Sequence, residues 1–214
     1  ARGGGARRGW RWRRRRRSRA LRSVDGARDD DASEAARREA VRADLRGQIA
    51  LVAQDTFLFN DTLRANILIA RPDATEEELA ATLERASLSE LVAGLPEGLE
   101  TMVGERGMRL SGGQRQSVAI ARALLFEARV LIMDEPCAAL GVHETKMVGE
   151  LIDQLKRDGL GILLISHDLH DVFDLSDRLH VMKNGKLVGS VRTEDVTHDD
   201  VLGMIILGKM PEHL

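Results

Sequence analysis

Apolar residues fall into two kinds of run along this chain, and their alternation sets out its elements. Ile49-Ala50-Leu51-Val52-Ala53 and Gly161-Ile162-Leu163-Leu164-Ile165 are short and continuous, the pattern of strands buried on both faces. Val130-Leu131-Ile132-Met133 is a third apolar strand, and it ends in Asp134-Glu135. Elsewhere the apolar spacing is helical. Residues 63–69 and 76–87 follow it, with Leu79, Leu83 and Ala86 repeating behind an acidic first turn. Residues 88–92 continue that pattern until Pro96-Glu97-Gly98 ends it. Residues 117–125 form another helical run. Residues 144–157 put Met147, Val148, Leu151, Ile152 and Leu155 on one face before Gly159 breaks the helix. A short helix is expected over 169–175 and an apolar one over 201–207, while 34–45 suits a short polar helix. Asn184-Gly185 between 179–183 and 186–191 is a two-residue hairpin signal. Strands alternating with helices predict an α/β fold with a mostly parallel sheet covered by helices. A helical subdomain of about residues 61–125 is inserted in it.

Composition separates the first 45 residues from the rest. Residues 1–22 hold 11 arginines and no acid, so the remainder carries 21 of the 32 basic residues and all 34 acidic ones. The Arg13 to Arg17 run, Gly3-Gly4-Gly5 and the scarcity of apolar residues predict disorder through residue 32. An arm for nucleic acid or anionic lipid, with Trp10 and Trp12 stacking on bases, is weighed against a solvated tail. The tail is preferred, and a GC-rich segment read out of frame is a third source of such composition. The acidic body over 46–214 argues against specific nucleic-acid binding. Cys137 is the only cysteine, which excludes a disulfide framework. No apolar run reaches transmembrane length and no secretory h-region is present, so a membrane role is expected to need a partner.

The candidate chemistry lies at the ends of these runs. Ser111-Gly112-Gly113-Gln114 stands at the mouth of a helix, with Ser111 as N-cap. Free backbone N–H groups, the hydroxyl and the helix dipole there suit an anion, and glycines would let a phosphate approach. Asp134, at a strand tip, suits Mg²⁺ as a hard oxygen ligand, and Glu135 suits a general base for an attacking water. His167 follows the neighbouring strand, and Gln54 leaves the first one. Ligands of open α/β sheets bind at these carboxyl ends of strands.

Together, Gln54, the Ser111-Gly112-Gly113-Gln114 stretch, Asp134-Glu135 and His167 resemble the Q-loop, signature, Walker B strand and switch histidine of ABC-type ATPases, over residues 46–210. The resemblance implies a P-loop NTPase-type sheet, ATP and Mg²⁺ as cofactors, and ATP hydrolysis. Glu135 and His167 would be catalytic, Asp134 and Gln54 would serve the metal, and Gln54 with residues 111–114 would bind nucleotide. It also implies transmembrane permease partners, a location at the cytoplasmic face of the membrane, and a head-to-tail dimer with another ATP-binding domain. Residues 48–125, with the Val103-Gly104-Glu105-Arg106-Gly107 loop, look like the exporter branch. Glu105 there would be the contact to the permease. Residues from 138 onward look like monosaccharide-importer subunits, and Gly141 stands where most of the family has an aspartate. Sugar import is therefore the leading expectation and an exporter domain the alternative. A soluble nucleic-acid ATPase and a non-hydrolysing remnant are further options. The sequence contains no Gly-x-x-x-x-Gly-Lys-Ser/Thr string: Gly4 to Gly9 has the glycine spacing, but Trp10-Arg11 follow. No tyrosine is present to stack on adenine. Loss of that phosphate loop and its strand predicts an open sheet edge and an association-prone chain.

Overall fold

The apolar blocks and helical runs become elements close to their expected limits in the computed structural model, which describes residues 30–214. Expectations about residues 1–29, including the basic arm and the Gly4–Gly9 spacing, lie outside the described residues. The chain divides into two units at residues 40 and 41. In the first, residues 30–40 belong to helix α1 (Asp30–Arg46), which takes in the polar helix expected over 34–45.

In the second unit, strands β1 (Ile49–Val52), β2 (Val130–Asp134) and β3 (Gly161–Ile165) form a parallel sheet in the order β1-β2-β3. Between β1 and β2 the chain is helical: α2 (Leu63–Leu68), α3 (Glu76–Arg85), α4 (Ser89–Gly94), two short turns of helix, and α5 (Gly112–Leu125). Ser87 takes a positive φ of 54°, which separates α4 from α3 where the sequence predicts continuation. Helix α6 (Val142–Arg157) joins β2 to β3, and α7 (Leu169–Leu175) follows β3. Gly159, at φ 87°, closes α6 in the left-handed region that glycine enters without strain.

Register explains which side chains form the core. Val52, Met133 and Leu164 stand abreast, as do Ala50, Leu131 and Ile162, and both rows face the helices. Leu131 and Met133 are fully buried there with Val118, Ile120, Leu151, Ile152 and Leu155 from α5 and α6. The intervening row, Leu51–Ile132–Leu163, faces away. Leu51 is 66% exposed, and Leu163 and Ile165 are each 48% exposed. The expectation of strands buried on both faces is thus corrected for β1 and β3: the helices of the described residues cover one face of the sheet.

The hairpin expected at Asn184-Gly185 stands apart from this sheet. Strands β4 (Arg178–Lys183) and β5 (Lys186–Arg192) form a separate antiparallel hairpin. Asn184 (φ 49°) and Gly185 (φ 73°) make its turn with two positive φ values, which is why that dipeptide was informative. The hairpin packs Leu179, Val181 and Val191 with Val201 and Met204 of α8 (His198–Leu207) in a second, smaller core. Among the described residues no helix is long and apolar enough to cross a membrane.

Candidate functional site

Parallel strands send their carboxyl ends to one edge of the sheet, and the sequence-predicted residues leave from that edge. Gln54 follows β1 by two residues, Asp134 ends β2 with Glu135 next, and His167 follows β3 by two. Asp134 pairs with Ile165 in register. Glu135 leaves the strand with φ at +49°, a region that costs a non-glycine residue about 1 kcal/mol or more. Its N–H donates to the Ile165 carbonyl at 2.8 Å, which fixes the turn between the two strand tips.

That turn brings Glu135 and His167 together. Glu135 Oε1 lies 2.7 Å from His167 Nδ1, with the Glu135 side chain largely buried and the imidazole largely exposed. The Ser166 hydroxyl reaches Glu135 Oε2 at 3.5 Å and accepts the Asp168 N–H at 3.1 Å, so residues 166–168 are held where α7 begins. The Glu135 hydrogen bond is the main cause that raises the His167 pKa, with the charges of Glu135 and Asp168 adding to it. Gln54 is exposed, two residues beyond β1, the strand that neighbours β2.

The other half of the site is the N-terminus of α5. The Ser111 hydroxyl accepts the Gln114 N–H at 3.3 Å, and Gln114 Oε1 accepts the Ser111 N–H at 2.9 Å, a reciprocal capping box. The helix therefore begins at Gly112, five residues before the apolar run suggested. Sequence reading missed Glu144, in the first turn of α6. Its carboxylate accepts the Gly113 N–H at 3.4 Å and the Gly141 N–H at 3.3 Å. Hydrogen bonds from Ser111, Gly141 and Gly113, in that order of effect, hold its pKa below the usual carboxylate range. The anion at this helix mouth is thus a side chain of the same chain. Glu144 stands three residues after Gly141, a helix-start spacing legible in sequence, but its reach to Gly113 is tertiary.

The glycines also serve a role that spacing did not reveal. A Cβ on Gly112 would sit 2.5 Å from Leu140 Cδ2, and one on Gly113 would sit 2.7 Å from Met147 Cε. The glycines thus let the ends of the Leu140 and Met147 side chains pack directly on α5, and a larger residue at either position would push those ends aside. No hydrogen bond among the described residues joins the Glu135–His167 pair to residues 111–114. They are linked by the turn 135–141 that carries Leu140.

These residues fit part of an ATP–Mg²⁺ group. The Asp134 carboxylate, the exposed Gln54 amide and the Glu135–His167 pair suit a hard cation and an activated water. No lysine-bearing phosphate loop is present in the sequence to hold the β- and γ-phosphates.

A family model described as ABC transporter matches residues 24–138, which include Gln54, the 111–114 stretch, Asp134 and Glu135. An ATP-dependent lipid A-core flippase of Chromobacterium violaceum is 47% identical over 143 residues, 67% of this chain and 24% of that protein. A Bacillus subtilis protein named for multidrug export, an ATP-binding/permease protein, is 40% identical over 158 residues, 74% of this chain and 26% of its own length. Among solved structures, a bacterial Atm1-family ABC exporter with ATP bound matches with a TM-score of 0.64 and 34% identity, over 72% of this chain and 27% of that one. The chain spans about a quarter of the length of the curated relatives it matches. Their names concern export, so the exporter alternative is favoured over the sugar-import reading drawn from the C-terminal part.

Proposed function

Since this chain belongs to the ABC transporter family, as an exporter-like nucleotide-binding domain, we propose that it couples ATP hydrolysis to outward transport by a membrane-embedded permease part. The observation that carries the reading is the 2.7 Å contact between Glu135 and His167 at adjacent strand tips. Glu135 takes the proton of the attacking water, and His167 fixes the direction of its carboxylate. Asp134 and Gln54 hold the metal side. When bound, the nucleotide supplies the γ-phosphoryl group and its metal neutralises charge on the phosphoryl oxygens. The N-terminus of α5, with Ser111, Gly112, Gly113 and Gln114, offers N–H donors to a phosphate held by a second ATP-binding domain. Presenting that end to nucleotide requires Glu144 to yield its place on Gly113.

A groove suits the permease contact. A cavity of about 380 Å³ lies between β1, the 55–57 loop and α5, lined by Leu51, Phe57, Ala70, Ala119, Arg122 and Phe126. Phe57 and Phe59 stand exposed beside it, edge to face at 5.1 Å. The Glu105 turn is a second exposed surface that suits such a contact.

Phosphate release from ATP tests the reading, with the chain alone and mixed with an ATP-binding domain that carries an intact phosphate loop. Turnover in the mixture should fall at least a hundredfold in Glu135→Gln, about 2.7 kcal/mol of barrier, while the fold is kept. Turnover unchanged by that substitution, or none in either preparation, would overturn it.

A further inference from the structure

Helix α5 carries more than the capped end at Ser111. Eleven residues on, roughly 16 Å along the helix, Arg122 lies half-buried beneath the loop that contains Gln54. Its guanidinium makes three hydrogen bonds of 2.7 Å: Nε–H to the Asn66 carbonyl, Nη2–H to Asn66 Oδ1, and Nη1–H to the Phe57 carbonyl. Asn66 is almost fully buried and passes the hold onward. Its Oδ1 accepts the Phe59 N–H at 2.8 Å, and its Nδ2 donates to the carbonyls of Phe59 and Thr62 at 3.0 and 2.9 Å. One turn and a half before Arg122, Gln116 Oε1 accepts the Thr56 hydroxyl at 2.9 Å. The stretch 56–66, which begins two residues after Gln54, is therefore tied to α5 at Thr56, Phe57 and Asn66.

The choice of partners is informative. Arg64 and Arg71 each bind two carboxylates at the surface. Arg122 binds none among the described residues, although burial lowers its pKa. A desolvated cation held only by neutral oxygens has no ion pair to offset its burial, whereas its planar fork fixes the geometry of what it holds. The carbonyl it takes from Phe57 belongs to the rim of the 380 Å³ groove.

We propose that Arg122 is a positioning residue, which sets the place of Gln54 at the metal side of the site by strapping residues 56–66 to the helix that carries Ser111 at its other end. A partner seated on Phe57 and Phe59 then acts on Gln54 and α5 through one guanidinium. This rests on the functional reading above for the role of Gln54.

Two measurements on the full chain test it, hydrogen exchange and a magnesium titration of a fluorescent ATP analogue. In Arg122→Lys, which keeps the charge and loses the fork, amides of residues 55–60 should exchange about tenfold faster, the worth of one charged hydrogen bond. Amides of residues 118–124 and the melting temperature should stay as in the wild type. The magnesium needed for half-maximal analogue binding should rise several-fold, as in Gln54→Ala, with no further rise in the double variant. Analogue binding without metal should not move. Thr56→Val cuts the neighbouring tie and should shift both readouts the same way by less, which keeps a test if Arg122→Lys misfolds. Unchanged exchange at 55–60, or additive magnesium effects of the two substitutions, would overturn the proposal. A wild-type chain without magnesium-dependent binding would instead overturn the functional reading, and the strap would be decided by exchange alone.

Discussion

At the scale of single residues, His167 and Glu135 illustrate how one hydrogen bond sets a pH dependence. The pair raises the His167 pKa, so its stabilising contribution is complete below the ordinary histidine value of about 6.5 and is lost as pH rises through the raised one. The His167 ring protons should therefore titrate in NMR with a midpoint above that value, and Glu135→Gln should lower it, with the Asp168 charge still in place. Equal midpoints in the two proteins would refute the pair. Gly107 illustrates a second kind of residue effect. It sits at φ 71° in the loop before Ser111, and a Cβ there would meet the fully buried Leu58 at 2.6 Å. Gly185 has nearly the same φ, 73°, with open space around it. Alanine at Gly185 should cost about 1–2 kcal/mol for the left-handed backbone alone. At Gly107 overpacking adds about 1–3 kcal/mol more. Urea denaturation of the two variants separates the terms, and equal losses would show that Leu58 yields freely.

At the scale of elements, the central strand shows why a continuous apolar run was ambiguous. Leu131 and Met133 point into the helical layer and are fully buried, while Leu51, Ile132 and Leu163 point the other way. Alanine at Leu131 should cost about 2–5 kcal/mol. Threonine at Leu163 should change stability by no more than about 0.5 kcal/mol, because little burial is lost. A large loss at Leu163 would mean that this face is covered in solution. The limits of β1, β2, β3 and α7 were legible because short apolar blocks and turn residues act locally. The uncovered face was not, since a block of five apolar residues reads the same with one layer of helices or two.

At the scale of the whole molecule, the exposed apolar side chains among the described residues include two groups besides Phe57 and Phe59. Leu51, Leu163 and Ile165 lie on the open sheet face, and Met182, Leu187, Ile206 and Leu207 lie on the hairpin and α8. Grouped apolar surface of this kind drives association. Sedimentation velocity should show mass rising with concentration, and lysine at Leu51 and Leu163 together should reduce it. A monomer at every concentration, with a cooperative melt well above physiological temperature, would refute this. The same scale favours the exporter reading proposed above over sugar import: relatives named as multidrug export and lipid A-core flippase proteins match two-thirds or more of the chain.

By itself, the sequence determined the order of strands and helices, the hairpin at Asn184-Gly185, and the family through Gln54, residues 111–114, Asp134-Glu135 and His167. The elements and the hairpin follow from period, capping and turn chemistry, which depend on neighbours a few residues apart, and the family follows from the resemblance of those motifs. Only the tertiary structure decided that Glu144 sits on the mouth of α5, that Gly112 and Gly113 make room for Leu140 and Met147, and that Arg122 holds a loop 56 to 65 residues away. Those contacts join side chains that are distant along the chain, where long polar residues have many possible partners and only packing selects one.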